Sequence, residues 1–193
     1  MEEAYIYDTV RSPRGKGKKG SLNELTAVAL SAKILKELRE RNKLNTEDVE
    51  DVIWGNVTQV GEQGGCLARS AVIAANYSVS TPGLSINRFC ASGLEAVNLA
   101  TNQVKGSAGN AYVAGGVEMM SRVPMGSDGA AIAVDPTLAM NSYFVPQGIS
   151  ADILATKYGF SRDDVDAFAV ESQKRAAAAR QSGHFKKSIA PIK

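Results

Sequence analysis

The feature that most constrains the fold of this chain is an alternation of short apolar runs with segments of helical periodicity. The predicted strands cover residues 4–10, 51–57, 84–89 and 111–114, and the predicted helices cover residues 22–38, 68–75 and 94–104. Strands separated by helix-length segments indicate βαβ units and a largely parallel sheet. We therefore predict an α/β fold. Ser21 and Glu24 form a capping-box pattern, which predicts that the first helix begins there.

The pattern changes after about residue 120. Residues 121–148 are rich in Met, Gly, Pro and Ala without a clear period, and a helix is predicted over residues 150–158. A second capping-box pattern, Ser161 with Asp164, predicts a helix that runs to about residue 183. The predicted core stripe of that helix is Val165, Phe168, Ala169, Ser172 and Ala176. We predict two domains, an α/β core over residues 1–120 and a second, helical region over residues 121–193.

Composition excludes several classes of function. The 22 basic and 20 acidic residues give a net charge of +2, which is too even to indicate nucleic acid binding. No apolar stretch approaches the ~18 residues of a membrane span, and the acidic start is unlike a signal peptide. Two cysteines without a CxxC pair and one histidine argue against a zinc site and favour a reducing cytosol. The predicted location is cytoplasmic, with no membrane and no metal.

The most informative position is Cys90, at the junction between a predicted strand and a predicted helix. The small residues Ala91, Ser92 and Gly93 lead into the helix and leave room for a bulky substrate. A helix N-terminus favours a thiolate, which is the nucleophilic form of cysteine. Such a thiol suits a covalent acyl carrier, because thioester exchange divides one difficult transfer into two easier ones. The alternative is that Cys90 is a small buried apolar residue, as most free cysteines are.

The sequence around this cysteine resembles a known family. Residues 87–94, Asn-Arg-Phe-Cys-Ala-Ser-Gly-Leu, match the nucleophile segment of thiolases at every position. Three further segments, residues 10–17, 115–125 and 161–173, are similar to thiolase segments in the same order. Together they span essentially the whole chain. The sequence is thereby identified as resembling the N-terminal half of a thiolase, with part of its helical loop domain at residues 121–193.

This resemblance implies ping-pong acyl transfer with Cys90 as the catalytic nucleophile. Cys90 would take an acyl group from a 3-ketoacyl-CoA, and a second CoA would collect it, as in fatty acid metabolism. The reverse direction would condense two acetyl-CoA molecules. The implied partners are acyl-CoA and CoA as substrates, without a bound cofactor. The departures at Met119 and residues 145–148 leave the preferred acyl chain open.

The catalytic partners that the resemblance implies lie in the second half of a thiolase. That half carries a histidine in an Asn-x-x-Gly-Gly-x-x-x-x-Gly-His-Pro segment and a cysteine in a Cys-x-Gly-Gly-Gly segment, and neither occurs in this sequence. Because such groups act as a unit, we predict that this chain alone is nearly inactive. We also expect a homo-oligomer or a complementing C-terminal half. His184 is predicted to be a surface residue, and Cys66 a structural one.

Two alternatives remain at this point. A 3-ketoacyl synthase also places a cysteine at a strand-to-helix junction, although its acyl donor is held by a carrier protein. The segments at residues 115–118 and 161–173 favour a thiolase over a synthase. The second alternative is a non-catalytic half-thiolase that serves as an assembly or acyl-CoA binding module, which the missing second-half motifs support.

Overall fold

The computed structural model describes residues 3–17 and 19–192. It divides into two compact units, which we describe separately. The first contains the residues up to Asp128 together with those from Ser188, and the second is Gly129–Lys187. The sequence-based boundary at residue 120, and the assignment of residues 121–193 to part of a loop domain, stay predictions.

The first unit is built on a parallel sheet of three strands, β1 (Asp51–Gly55), β2 (Gly83–Ile86) and β3 (Tyr112–Gly116). The strand order is β2-β1-β3, and Val52 of β1 lies beside Gly83 and Val113 in the two neighbouring strands. The central strand is buried on both faces, which explains its nearly continuous apolar sequence. The predicted α/β fold is confirmed.

Three helices flank this sheet: α1 (Ala27–Asn42), α2 (Leu67–Ala74) and α3 (Ser92–Lys105). Helices α1 and α2 pack together, and their buried residues join Val52 and Trp54 of β1 in one hydrophobic core. Two buried polar contacts tie α1 to the rest of this core. The indole N–H of Trp54 donates to Ser31 Oγ at 3.1 Å, and the Tyr77 hydroxyl donates to the carbonyl of Leu35 at 2.9 Å. Burial raises the pKa of Tyr77 to about 12, so this hydroxyl remains a donor at physiological pH.

The start of α1 differs from the prediction. The N-cap is Thr26, whose Oγ1 accepts a hydrogen bond from the Ala29 N–H at 3.1 Å. The capping box predicted at Ser21 and Glu24 is therefore wrong. The residues before Thr26 form hydrogen-bonded turns, and a threonine caps a helix as readily as the serine of the expected pattern.

The predicted strand over residues 4–10 is also wrong. No strand forms here, and among the described residues the β-pairing next to this segment is an isolated bridge between Arg11 and Ile189. Its aromatic side chains remain exposed, and Tyr7 is 93% accessible. An alternating sequence makes a strand only where a neighbouring strand is free to pair, which is a tertiary property.

The second unit consists of four helices, α4 (Ala131–Val134), α5 (Pro136–Ser142), α6 (Gln147–Tyr158) and α7 (Arg162–Gln181). The capping box predicted for α7 is confirmed, because Ser161 Oγ accepts from the Asp164 N–H while Asp164 accepts from the Ser161 N–H. The predicted core stripe of α7 is wrong. Phe168 is 78% exposed and no residue of α7 is buried, because the other helices of the second unit do not cover that face.

None of the helices in the described ranges is both long enough and apolar enough to cross a membrane.

Candidate active site

The carboxyl ends of the three parallel strands lie at one edge of the sheet. The ladder continues one residue beyond the strands, where the Asn56 N–H donates to the Ile86 carbonyl at 2.9 Å and the Val117 N–H donates to the Gly55 carbonyl at 3.0 Å. The three segments that follow the strands therefore lie side by side. This edge is where α/β proteins form their binding sites.

Cys90 lies on a tight turn between β2 and α3. The turn begins at Asn87, whose Oδ1 accepts from the Phe89 N–H at 2.8 Å. Phe89 has a φ of 48°, a left-handed backbone conformation that residues other than glycine rarely adopt. Strained residues of this kind cluster at functional sites, where the surrounding structure holds them in place. The turn sets Cys90 two residues before the first residue of α3.

Ser92, the first residue of α3, holds this turn from the other side. It is buried, and its Oγ donates to the Phe89 carbonyl at 2.6 Å while accepting from the Arg88 N–H at 2.9 Å. The N–H of Arg88 and the carbonyl of Phe89 are therefore both tied to the start of the helix. The side chains of Arg88 and Glu95 add an ion pair at 3.1 Å. Because the Arg88 side chain is 65% exposed, the contribution of this pair to stability is small.

The start of α3 lies directly on the end of β1. A Cβ atom added to Gly55 would lie 2.5 Å from the carbonyl carbon of Ser92 and 2.6 Å from the backbone nitrogen of Gly93. Such distances are far below van der Waals contact, so only glycine permits this approach. Gly55 thereby sets the depth at which the Cys90 turn rests on the sheet.

The thiol of Cys90 is free and exposed. The N-cap residue of α3, Ala91, supplies no side-chain hydrogen bond to the helix N-terminus. Phe89 and Leu94, on either side of the cysteine, expose most of their apolar surface, and the space beside Gly93 is open. The predicted nucleophile is thus accessible at the start of a helix.

Cys66, like Cys90, is an exposed free cysteine at the start of a helix, and its own φ is 58°. Cys66 is the N-cap of α2, and its Sγ donates to the Gly83 carbonyl at 3.2 Å, so its thiol is engaged in holding α2 to β2. His184 is exposed in the turn that follows α7, in the second unit. Within the described ranges, no group of three or more histidine, cysteine, aspartate or glutamate side chains could hold a metal ion.

The loop after β1 is fixed by a carboxylate from the segment after β3. Glu118 accepts hydrogen bonds from the Val57 N–H at 2.8 Å and from Gln63 Nε2 at 2.7 Å. Four residues later, Arg122 forms two hydrogen bonds with Glu62, at 2.6 Å and 2.5 Å. These hydrogen bonds hold the pKa of the Glu62 carboxyl below its ordinary value.

Sequence analysis predicted no hydrogen bonds for Asn87, Ser92 or Glu118, although all three lie in segments that carry the resemblance. The first two had a local signal, since an asparagine and a serine around a tight turn often bond to nearby peptide groups. Glu118 had none. Its partners lie about 60 residues earlier in the chain and are brought to it only by the pairing of β1 with β3.

Comparison with known proteins agrees with this geometry. The family model of the thiolase N-terminal domain matches residues 4–193. The 3-ketoacyl-CoA thiolase of Colwellia psychrerythraea is 38% identical over 192 residues, which cover 98% of this chain and 49% of that protein. The 3-ketoacyl-CoA thiolase of Cronobacter sakazakii is 36% identical over 194 residues, covering 99% of this chain and 49% of that protein.

A third relative, the 3-ketoacyl-CoA thiolase of Shewanella sp. strain MR-7, is 38% identical over 195 residues, which cover all of this chain and 50% of that protein. The chain thus spans about half the length of the curated relatives that it matches. The match to the family model covers the α/β sheet, the Cys90 turn and the helical second unit alike. The chain belongs to the thiolase family, and the part of the family that it represents is the N-terminal domain.

Proposed function

We propose that Cys90 is the acyl-accepting nucleophile of a thiolase-type acyltransferase that acts on coenzyme A thioesters. The observation that carries the proposal is the exposed thiol of Cys90 on a positive-φ turn at the start of α3. A thiol in this position is open to a large substrate, and the thiolate of a cysteine is the form that attacks a thioester. The relatives named 3-ketoacyl-CoA thiolase support a CoA thioester as the substrate. The two free thiols favour a reducing cytosol as its setting.

The proposed reaction is a ping-pong transfer in two steps. First, the Cys90 sulfur bonds to the β-keto carbon of a 3-ketoacyl-CoA. The bond between the α and β carbons then breaks, and its electron pair takes up a proton at the α carbon, which releases acetyl-CoA. Second, the thiol of another CoA attacks the acyl-cysteine, the sulfur of Cys90 leaves, and the proton passes to it. The reverse sequence condenses two acetyl-CoA molecules.

Both steps need a group that removes and returns protons. Cys90 has its turn and its helix in the first unit, but neither second-half motif of the thiolases occurs in this sequence. Removing one member of a catalytic set typically removes most of the rate that the whole set provides. We therefore infer that these 193 residues accept an acyl group slowly and turn over only together with a second thiolase half.

A second candidate function is that of an assembly module. In the first unit, residues 4–17 and β3 line a cleft of about 910 Å³. Among the described strands, none pairs with the outer edge of β3. An open strand edge beside an unfilled cleft favours association with another polypeptide. This function and the catalytic one are compatible, because association would bring the missing groups to Cys90.

The experiment that tests the proposed function uses a chimaera in which residues 1–193 are joined to the second half of the Colwellia psychrerythraea thiolase. We expect the chimaera to cleave acetoacetyl-CoA in the presence of CoA, with the parallel initial-rate lines of a ping-pong reaction. Cys90→Ser in the chimaera should reduce kcat by about 1,000-fold or more. The unfused chain should show no measurable turnover.

The matched control is Cys66→Ser in the same chimaera. It should retain kcat within about twofold, because the Cys66 thiol bonds to Gly83 and Ser85 of β2 and not to the Cys90 turn. Full activity of the Cys90→Ser chimaera would contradict the proposal. Turnover by the unfused chain at the rate of the chimaera would contradict the need for a second half.

A further inference from the structure

Glu118 lies just after β3 and gathers donors from the loop that follows β1. Its Oε2 accepts from the Val57 N–H at 2.8 Å, and its Oε1 accepts from the Thr58 N–H at 3.3 Å and from Gln63 Nε2 at 2.7 Å. Asn56 Nδ2 lies 3.5 Å from Oε2. All of these donors are neutral amides, so the carboxylate organises a loop of backbone and side-chain amides.

Gln63 closes this arrangement from inside the unit. It is 1% exposed, and its Nε2 also donates to the Thr58 carbonyl at 2.9 Å. Its Oε1 accepts from the Met119 N–H at 2.8 Å. The segment after β3 and the loop after β1 are therefore joined in both directions, by an acceptor at Glu118 and by a donor at Met119. The Gln63 amide thus uses both its oxygen and its nitrogen, and hydrogen bonds of this kind rigidify the two segments that they join.

One peptide group of this loop also bonds to the first residue of the Cys90 turn. The peptide between Val57 and Thr58 donates its N–H to Glu118 and accepts, at its carbonyl, a hydrogen bond of 3.2 Å from Asn87 Nδ2. The Oδ1 of that asparagine accepts from the N–H of Phe89, the positive-φ residue before Cys90. Hydrogen bonds in such a series polarise and strengthen one another.

We infer that Glu118 is a positioning residue for Cys90. Its carboxylate fixes the peptide between Val57 and Thr58, this peptide orients the Asn87 amide, and the amide holds the strained backbone of Phe89. The inference rests on the proposed role of Cys90 for its meaning in catalysis. The hydrogen-bonded series itself can be measured without any CoA ester.

The test uses the 193-residue chain with Cys66→Ser, so that Cys90 is the only thiol. Glu118→Gln keeps the size of the side chain but replaces one of its two accepting oxygens with an NH₂ group. The donors that now bond to two carboxylate oxygens are then left with one amide oxygen. We expect the Phe89 amide hydrogen to exchange with solvent about 10-fold faster, because local opening of the turn becomes easier. We also expect acetylation of Cys90 by acetyl-CoA to slow by about 10-fold, since misplacement of a nucleophile lowers its rate.

Glu62→Gln is the matched control. It breaks the ion pair with Arg122 on the same loop but does not touch the peptide between Val57 and Thr58. Both readouts should stay within about twofold of the parent chain. A positioning role further predicts that Asn87→Ala and Glu118→Gln are not additive, because both break one hydrogen-bonded series.

Each outcome decides a separate point. The positioning role would be overturned if the Phe89 amide hydrogen of folded Glu118→Gln exchanged at the rate of the parent chain. It would also be overturned if Glu118→Gln and Glu62→Gln changed the exchange and acetylation rates equally. If the parent chain takes no acetyl group while Phe89 exchange responds as expected, the positioning role stands and the proposed function fails. If Glu118→Gln does not fold, Glu118→Asp is used instead, because its side chain is shorter by one methylene group and draws the carboxylate away from its donors. Phe89 exchange and Cys90 acetylation at the rates of the parent chain would then overturn the inference.

Discussion

Gly55→Ala is expected to destabilise the first unit by about 3 kcal/mol, because it forces a methyl group into space that backbone atoms occupy. The added Cβ would lie 2.5 Å from the carbonyl carbon of Ser92 and 2.6 Å from the nitrogen of Gly93. Neither atom can rotate away as a side chain can. Relief requires α3 to move off β1, and the Cys90 turn moves with it. Urea unfolding followed by circular dichroism should show the loss as a lower midpoint.

Gly93→Ala is the control for this prediction. A Cβ at Gly93 meets no atom within 4 Å, and the residue lies in the first turn of α3. Alanine is favoured over glycine in a helix by up to about 1 kcal/mol, so the midpoint should stay equal or rise. A Gly55→Ala variant that unfolds at the parental urea concentration would mean that α3 does not rest on β1 as described.

Ser92→Ala is expected to lower the free energy of unfolding by about 2 kcal/mol. The change removes the hydrogen bond that Ser92 Oγ donates to the Phe89 carbonyl and the one it accepts from the Arg88 N–H. The Phe89 carbonyl keeps a second donor in the Ser92 N–H, at 3.0 Å, whereas the Arg88 N–H loses the acceptor that Ser92 provides. The Arg88 N–H, left without this acceptor beside the buried residue 92, accounts for most of the expected loss of unfolding free energy.

The control for the serine is Ser70→Ala in α2. Ser70 Oγ makes one long hydrogen bond, at 3.4 Å, to the Cys66 carbonyl four residues earlier. Its loss should change the free energy of unfolding by no more than about 0.5 kcal/mol. The account of the Cys90 turn would be wrong if both alanine variants unfolded at the same urea concentration.

The sequence predicted the sheet and its helices because their signals are local. A buried parallel strand such as β1 is a short apolar run, and α7 begins with a capping box that its own four residues complete. The segment at residues 4–10 shows the limit of such signals. It has the alternation of a strand, yet pairing depends on a neighbour that the sequence pattern does not identify.

The prediction of where α1 begins was wrong for a different reason. Both Ser21 and Thr26 are good N-caps, and the sequence offers no means to choose between them when turns intervene. The predicted core stripe of α7 was wrong because helical periodicity predicts an apolar face but not the element that covers it.

The candidate site was predicted in part. The position of Cys90 at the start of a helix follows from local pattern, and the structure places its thiol there, exposed. The carboxylate of Glu118 and the close approach at Gly55 depend on strand order and helix packing across tens of residues. No periodicity in the sequence carries that information. Contacts between residues far apart in the sequence are therefore the ones that only the fold reveals.

The most direct test of the central claim is the intact mass of the chain after incubation with acetyl-CoA. We predict that the parent chain and Cys66→Ser each gain one acetyl group, and that Cys90→Ser gains none. Proteolysis should then locate the acetyl group on the peptide that contains Cys90. If folded Cys66→Ser gains no acetyl group while iodoacetamide still alkylates Cys90, or if the acetyl group lies on Cys66 in the parent, Cys90 is not the acyl acceptor.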